Sequence, residues 1–439
     1  MRSIRKVCVL GANGAMGSGS GAVFAAAGIP TVFLARTVEK AEAGRARADQ
    51  LTKGTIAPGM ITCGNYEHDL ASAIADADFV LECVSEDIAV KRDVFSQIEK
   101  LDSVRKADTI VATVSSGLSI AGMCADRSES FRKNFLGVHL FNPPTIIRGC
   151  EIIPHAGTDP GVLAVVRDFL TNVCDREVVE CADTPAFAGN RLGFKVLNEV
   201  AQLAEEHGVA FMDQLVGPHT GRALPPLATI DLVGWDVHKA IVDNLYARTH
   251  DTCRQSFLLP AYMQRGIDRG HLGRKTRDKG GFFRVTGKGA DAKHFVLDPA
   301  SGEYKPLAEV APPISAFVEK MKAAIKSGGH AAAMEALCNA EGLEADLLRK
   351  VLLGYISYGL GLVGEVVERP RDIDRIMGFG FNWAPPSVLV DAIGPRRTIA
   401  MLEQAKLPVP RSIVEAASHQ RAMFNEPSVD SARFFVVAA

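Results

Sequence analysis

Two groups of residues in this 439-residue chain have types and spacing suited to chemistry. The first is His139, at the end of the apolar run GVHLF, followed twelve residues later by Glu151 on the next strand-like run, CEIIP. On neighbouring strands the imidazole and the carboxylate would lie side by side. A carboxylate holding one ring nitrogen fixes the tautomer and raises the basicity of the other, which suits removal of a proton from an alcohol. A structural histidine accounts for the spacing equally well. The second group is the run Gly11-Ala12-Asn13-Gly14-Ala15-Met16-Gly17, between an apolar strand pattern and a helix-compatible stretch. Small residues let backbone approach a pyrophosphate, and the N–H groups of a following helix receive it. The competing reading is a glycine turn that serves only tight packing of helix on strand. The spacing G-x-x-G-x-x-G is one residue longer than the usual dinucleotide fingerprint.

About twenty residues beyond that loop, where an adenosine ribose is normally read, the chain has Leu34-Ala35-Arg36. An acidic residue there would accept a hydrogen bond from the 2′-hydroxyl of NAD. Arg36 cannot accept, and its guanidinium suits a 2′-phosphate instead. NAD is the expected cofactor, with NADP the alternative that Arg36 opens.

The elements that must position these groups are legible in the hydrophobic pattern. KVCVL at 6–10, the glycine loop, a small-residue helix at 18–27 and the run TVFL after Gly28-Ile29-Pro30 form a βαβ unit. Further apolar runs at 79–84, 109–114, 135–141 and 150–154 alternate with helical stretches, which predicts a doubly wound, mostly parallel sheet. Residues 1–185 are therefore expected to form a Rossmann-type dinucleotide-binding domain. From Asn190 long helical patterns dominate, giving a helical domain over 186–285. Residues 286–313, rich in Gly, Pro and charge, read as a linker before a second helical segment at 314–439. That segment repeats the first: MDQLVGPHTGRALPPLATIDLVGWD at 212–236 answers DIDRIMGFGFNWAPPSVLVDAIGPR at 372–396, each with D-x-x-x-G, a Pro-Pro pair and D-x-x-G. The fold class is α/β, a doubly wound sheet followed by two tandem all-α domains.

Composition narrows the function. With 47% hydrophobic and 23% charged residues the balance is that of a compact soluble protein. Lys and Arg total 49 against 51 Asp and Glu, so no global field attracts nucleic acid or anionic membrane. No apolar run approaches the roughly 20 residues of a membrane span. The nine cysteines form no C-x-x-C pair, which predicts a reducing cytoplasm and no structural metal. Phe24, Phe194 and Trp235 are expected in the core rather than in a pocket.

The run SESFRKNFLGVHLFNPPTIIRGCEIIP resembles the core of the L-3-hydroxyacyl-CoA dehydrogenase family, whose signature is an H-F-F-N-P segment followed by a glutamate. FVLECVSEDIAVKRDVF resembles its E-x-V-x-E-x-x-x-x-K stretch, TPAFAGNRLGFKVLNE its T-P-G-F-x-x-N-R motif, and LGRKT its L-G-x-K-T-G. The tandem helical pair resembles the dehydrogenase part of fused β-oxidation enzymes, without their crotonase-like hydratase. The resemblance implies conversion of an (S)-3-hydroxyacyl-CoA to a 3-oxoacyl-CoA by hydride transfer to a nicotinamide cofactor. His139 would be the general base, Glu151 its orienting partner, and Ser116 and Asn190 the groups that position hydroxyl and thioester. Gly11, Gly14, Ala15, Met16, Gly17, Arg36, Glu86, Lys91, Ser116, Asn142 and Lys275 fall at cofactor positions. Ser116, Asn142, Asn190 and Lys53 fall on the substrate side.

The chain departs from the pattern at Asn13, Arg36, Val114, Thr145-Ile146-Ile147, Ala186 and Arg277. The CoA-binding helical arm of family members has no clear counterpart. Arg45, Arg47 and Lys53 could meet CoA phosphates, against the alternative of a solvated helix face. The expected partners are the acyl-CoA and a separate enoyl-CoA hydratase. Because 314–439 could occupy the interface that shorter members use to dimerise, a monomer or weak homodimer is expected. Two alternatives stand beside the dehydrogenase: the same fold acting on a free 3-hydroxy acid or sugar acid, and a catalytically silent nucleotide-binding scaffold.

Overall fold

The computed structural model describes residues 3–426 and 429–435. It divides into two compact units, one reaching to Phe187 with the short segments Glu365–Glu368 and Phe379–Phe381, the other holding the rest.

The first unit is built on an eight-stranded sheet in the order β3-β2-β1-β4-β5-β6-β7-β8. Its elements are β1 (Val7–Leu10), α1 (Ala15–Ala26), β2 (Thr31–Ala35), α2 (Val38–Leu51), β3 (Ile61–Asn65), α3 (Tyr66–Asp76), β4 (Phe79–Glu82), α4 (Ile88–Glu99), β5 (Ile110–Thr113), α5 (Ile120–Cys124), α6 (Glu129–Lys133), β6 (Phe135–Leu140), β7 (Gly149–Ile153), α7 (Pro160–Asp168) and β8 (Glu177–Glu180). β1, β4, β5 and β6 are buried along their whole length, which is why they read as unbroken apolar runs rather than alternating ones. The single antiparallel pairing is β6 with β7, and its register sets His139 directly opposite Glu151. Phe24, Phe79 and Phe169 pack with ring centroids 5.6–6.1 Å apart in the core. The order reverses between β1 and β4, and ligands of such sheets bind at the carboxyl ends of the strands at that switch point.

The second unit is mostly helical: α8 (Gly189–His207), α9 (Val209–Leu215), α10 (Pro226–Val233), α11 (Trp235–Arg248), α12 (Ala261–Asp268), α13 (Leu307–Val310), α14 (Ala316–Cys338), α15 (Leu343–Gly361), α16 (Pro370–Ile376), α17 (Pro386–Ile393), α18 (Pro395–Gln404) and α19 (Arg411–His419). Both helical stretches belong to this one unit rather than to separate domains. The internal repeat extends to individual hydrogen bonds. Asp213 accepts from Leu227 N at 2.9 Å, and Asp374 from Ser387 N at 3.0 Å. Asp231 accepts from Phe282 N and Phe283 N, both at 2.8 Å, and Asp391 from Met423 N and Phe424 N at 2.8 and 2.9 Å. Arg222 and Trp383 stand at corresponding positions, form a β-bridge with each other, and stack guanidinium on indole at 4.2 Å. Phe194 and Trp235 are buried, as expected.

The stretch 286–313, expected as a linker, holds regular structure. β9 (Phe283–Thr286), β10 (Lys293–Leu297) and β11 (Tyr304–Pro306) form a three-stranded antiparallel sheet. Strands of three to five residues between glycine and proline turns leave too short a pattern to separate from a loop. Among the described residues no helix is long and apolar enough to cross a membrane.

Candidate active site

At the switch point Gly11, Gly14, Ala15, Met16, Arg36, Tyr66, Glu86, Lys91, Val114 and Ser116 line a cleft of about 690 Å³. The glycine loop is shaped by close approach of backbone. Gly11 has φ +75, and a Cβ there would stand 2.5 Å from the carbonyl oxygen of Cys83. A Cβ on Gly17 would stand 2.4 Å from the Gly11 carbonyl, so Gly17 packs behind the loop. α1 begins at Ala15 with no side-chain cap and no acidic residue in its first turn, which leaves its N–H groups to an anion. These features fit a dinucleotide pyrophosphate. The inserted Asn13 is accommodated by Arg47, which donates to its carbonyl at 3.3 Å. Tyr66, which the sequence did not single out, accepts from Gly11 N at 2.7 Å, and burial pushes its phenol up to about 12.

Lys91 is buried and bound by Glu82 at 2.9 and 3.0 Å and by Glu86 at 3.3 Å. Burial works against its charge, but the two carboxylates outweigh it and raise its pKa. Glu82 also accepts from Thr113 Oγ1 at 2.6 Å. Glu86 accepts from Ser115 Oγ at 2.6 Å and Ser116 N at 2.8 Å. Lys91 therefore fixes Glu86 and the Ser115-Ser116 turn at the cleft wall. Glu82 is the first glutamate of the E-x-V-x-E-x-x-x-x-K stretch, whereas Thr113 and Ser115 escaped the sequence reading because their partners lie 31 and 29 residues away.

The His139 imidazole is buried, and its Nδ1 lies 2.6 Å from Glu151 Oε2. With a carboxylate as acceptor, Nδ1 carries the proton and Nε2 keeps its lone pair. Cys181 Sγ donates to the second oxygen, Glu151 Oε1, at 3.4 Å. The rings of Phe141 and Phe187 lie 4.7 and 5.8 Å from the imidazole. Ala186 and Phe187 both have left-handed backbone, φ +58 and +55, in the segment where the family pattern has glycine at the first of the two. Phe141 and Phe187 are the phenylalanines of the H-F-F-N-P and T-P-G-F-x-x-N-R patterns, whereas Cys181 carries no sequence signal of its own.

The remaining sequence candidates lie elsewhere. Asn142 is exposed three residues beyond His139. Lys53 is exposed at the end of α2 with φ +54 and does not line the cleft. Asn190 is buried near the start of α8, in the second unit. Lys275 also belongs to that unit, where its ammonium pairs with Asp236 at 2.5 Å rather than lining the cleft.

A glycine loop at a doubly wound sheet's switch point fits a dinucleotide, and a histidine held by a buried carboxylate fits removal of a proton, the two parts that a dinucleotide-dependent oxidoreductase fold combines. Comparison with known proteins makes the class specific. Residues 6–184 match the family model for the 3-hydroxyacyl-CoA dehydrogenase NAD binding domain, and 187–282 that for its C-terminal domain. The chain is 31% identical over 443 residues to a "Probable 3-hydroxyacyl-CoA dehydrogenase" of Bacillus subtilis, covering 94% of this chain and 54% of that protein. It is 33% identical over 297 residues to a protein of the same description from Deinococcus radiodurans, covering 64% of this chain and 83% of that one. The crystal structure of 3-hydroxybutyryl-CoA dehydrogenase from Escherichia coli shares the fold, with TM-score 0.69 at 19% identity over 95% of this chain and 99% of that one. The chain belongs to the 3-hydroxyacyl-CoA dehydrogenase family, and it spans about half the length of the Bacillus relative.

Proposed function

We propose that this chain interconverts an (S)-3-hydroxyacyl-CoA and the 3-oxoacyl-CoA, with His139 as general base oriented by Glu151. The observation that carries the reading is the 2.6 Å contact between His139 Nδ1 and Glu151 within a family whose reaction requires such a base. Gly11, Gly14, Ala15, Met16, Glu86 and Ser116 would hold the dinucleotide. A nicotinamide bound there would accept the hydride that leaves C3 of the hydroxyacyl group. His139 Nε2 takes the hydroxyl proton, and Glu151 stabilises the imidazolium that results. Ser116 and Asn190 are proposed to position hydroxyl and thioester, with Asn142, Lys275 and Lys53 as further contacts to cofactor or CoA. An enoyl-CoA hydratase is the partner activity that would supply the substrate. His139→Ala tests the assignment: kcat should fall at least a hundredfold, while cofactor binding, read by fluorescence of the reduced nicotinamide, is retained.

The family model supports NAD, and Arg36 extends the proposal to its phosphorylated form. Arg36 lines the cleft, follows the last residue of β2, and has no hydrogen-bond or ion-pair partner among the described residues. A free guanidinium at the ribose-reading position favours a 2′-phosphate over a 2′-hydroxyl. The expected result is turnover with NADPH as well as NADH in wild type, with the NADPH activity lost in Arg36→Asp. Equal use of both cofactors by wild type and variant would remove Arg36 from this role.

A free 3-hydroxy acid is a second reading, favoured by one observation. Only residues 52–60 separate α2 from β3, which leaves no room for a helical CoA arm, and Lys53 is the one cation in that loop. Comparing kcat/KM for 3-hydroxybutyryl-CoA and 3-hydroxybutyrate separates the two.

A further inference from the structure

The first unit includes two short segments from far along the chain, Glu365–Glu368 and Phe379–Phe381; the second meets Phe141, which touches the imidazole, and the first bonds the residue next to Cys181, which touches Glu151. Residues two apart on a strand share a face, so Gly149 lies on the Glu151 side of β7, while Phe141 directly follows the end of β6 with its ring against the His139 imidazole. Phe379–Phe381 lies against this part of the ladder. A Cβ on Gly149 would stand 2.6 Å from Gly380 N, and one on Gly380 would stand 3.0 Å from the Phe141 ring. The Phe381 ring meets Phe141 edge-on at 5.7 Å, and Arg148 lies over Phe379 at 6.0 Å. Phe141 in turn is 4.7 Å from the imidazole. The other segment joins at the opposite partner: Val366 O accepts from Ala182 N at 2.8 Å, next to the Cys181 thiol that donates to Glu151.

We propose that Phe379–Phe381 is a positioning element for the catalytic dyad, setting the His139 ring through Phe141, while Val366 steadies the Cys181 thiol against Glu151. The segment lies between α16 and α17, outside the residues matched by either family model, and the Deinococcus relative aligns with only 64% of this chain. The longer members of the family would then differ from the shorter ones in what holds their base in place. The inference concerns geometry and rests on the reading of His139 as base only for its catalytic consequence.

The test is the downfield proton resonance of the His139 Nδ1–H to Glu151 hydrogen bond, assigned by its loss in His139→Ala, together with kcat and KM, in the full-length chain. Phe381→Leu and Gly380→Val should shift or broaden that resonance and lower kcat at least tenfold, with KM for the cofactor within twofold of wild type. Phe381→Tyr should restore both. Wild-type resonance and kcat in folded Phe381→Leu and Gly380→Val would overturn the proposal, as would losses that merely track the folded fraction. If Gly380→Val does not fold, Phe381→Leu and its Tyr counterpart decide alone. A shifted resonance in a chain that turns over no acyl-CoA would count against the proposed function and leave the positioning role intact.

Discussion

His139 and Glu151 form a dyad because one register places them opposite each other, and Cys181 leaves Glu151 one oxygen for the imidazole. Glu151→Gln keeps the shape but removes the charge that stabilises the imidazolium. Its kcat should fall about a hundredfold to ten-thousandfold with little change in melting temperature, measured by steady-state kinetics and calorimetry. Lys91 is expected to act through the fold. Lys91→Met strands the buried Glu82 carboxylate and should cost about 3–5 kcal/mol by denaturant titration. Ala186 holds a left-handed conformation that glycine adopts without strain, so Ala186→Gly should raise stability by about 1 kcal/mol. The base, its carboxylate and the glycine loop could be found from sequence because each sits in a contiguous motif. Tyr66, Ser115 and Cys181 could not, since folding alone brings them to their partners.

The glycine loop works because β1 and β4 run side by side and force backbone against backbone at its first residue. Gly11→Ala would drive a methyl into the Cys83 carbonyl from a strained φ, and the cofactor dissociation constant, measured by nicotinamide fluorescence, should rise at least tenfold. The helix-capping aspartates of the repeat give a pH signature. Burial raises Asp213 and Asp374 to about 7 each, against the lowering effect of the backbone N–H groups they accept from. A carboxyl raised on folding contributes stability that is full below its unfolded pKa and is lost as pH rises through its folded value. Burial lowers His219 and His238 to about 4 and about 3, and they act in the opposite sense, gaining stability as pH rises to the unfolded histidine value. The measurement is therefore a difference. Relative to wild type, Asp213→Asn and Asp374→Asn should become progressively more stable between about pH 4 and pH 7 in denaturant titrations, because they remove the falling component. β3 and β8 were not among the runs read as strands: β3 is only partly buried, and β8 is a four-residue edge strand with polar ends. The central strands, buried on both faces, were plain.

Across the chain as a whole, the repeat explains why the helical unit is large. Arg222 is fully buried and lies over both Trp383 and Tyr355, and the same position holds arginine in one copy and tryptophan in the other. Pairing within the chain joins cation to ring, whereas two first copies would oppose arginine to arginine. The protein is accordingly expected to be a monomer or weak dimer. Light scattering showing a tight, salt-resistant dimer would count against that. Trp383→Ala should cost about 3–5 kcal/mol in denaturant titration, as a large core truncation. The repeat was visible in the sequence because its aspartates and proline pairs recur in the same order at spacings that match to within one residue. The small sheet at 283–306 was hidden by the glycine and proline that make its turns. What everything turns on is whether His139 is the base of a 3-hydroxyacyl-CoA dehydrogenase. The decisive assay follows oxidation of reduced nicotinamide, NADH and NADPH in parallel, with acetoacetyl-CoA as acceptor, in wild type and His139→Ala. Turnover by wild type that is lost in the variant, with cofactor binding intact in both, is the predicted result; equal turnover in the two proteins, or none by wild type with either cofactor, would contradict it.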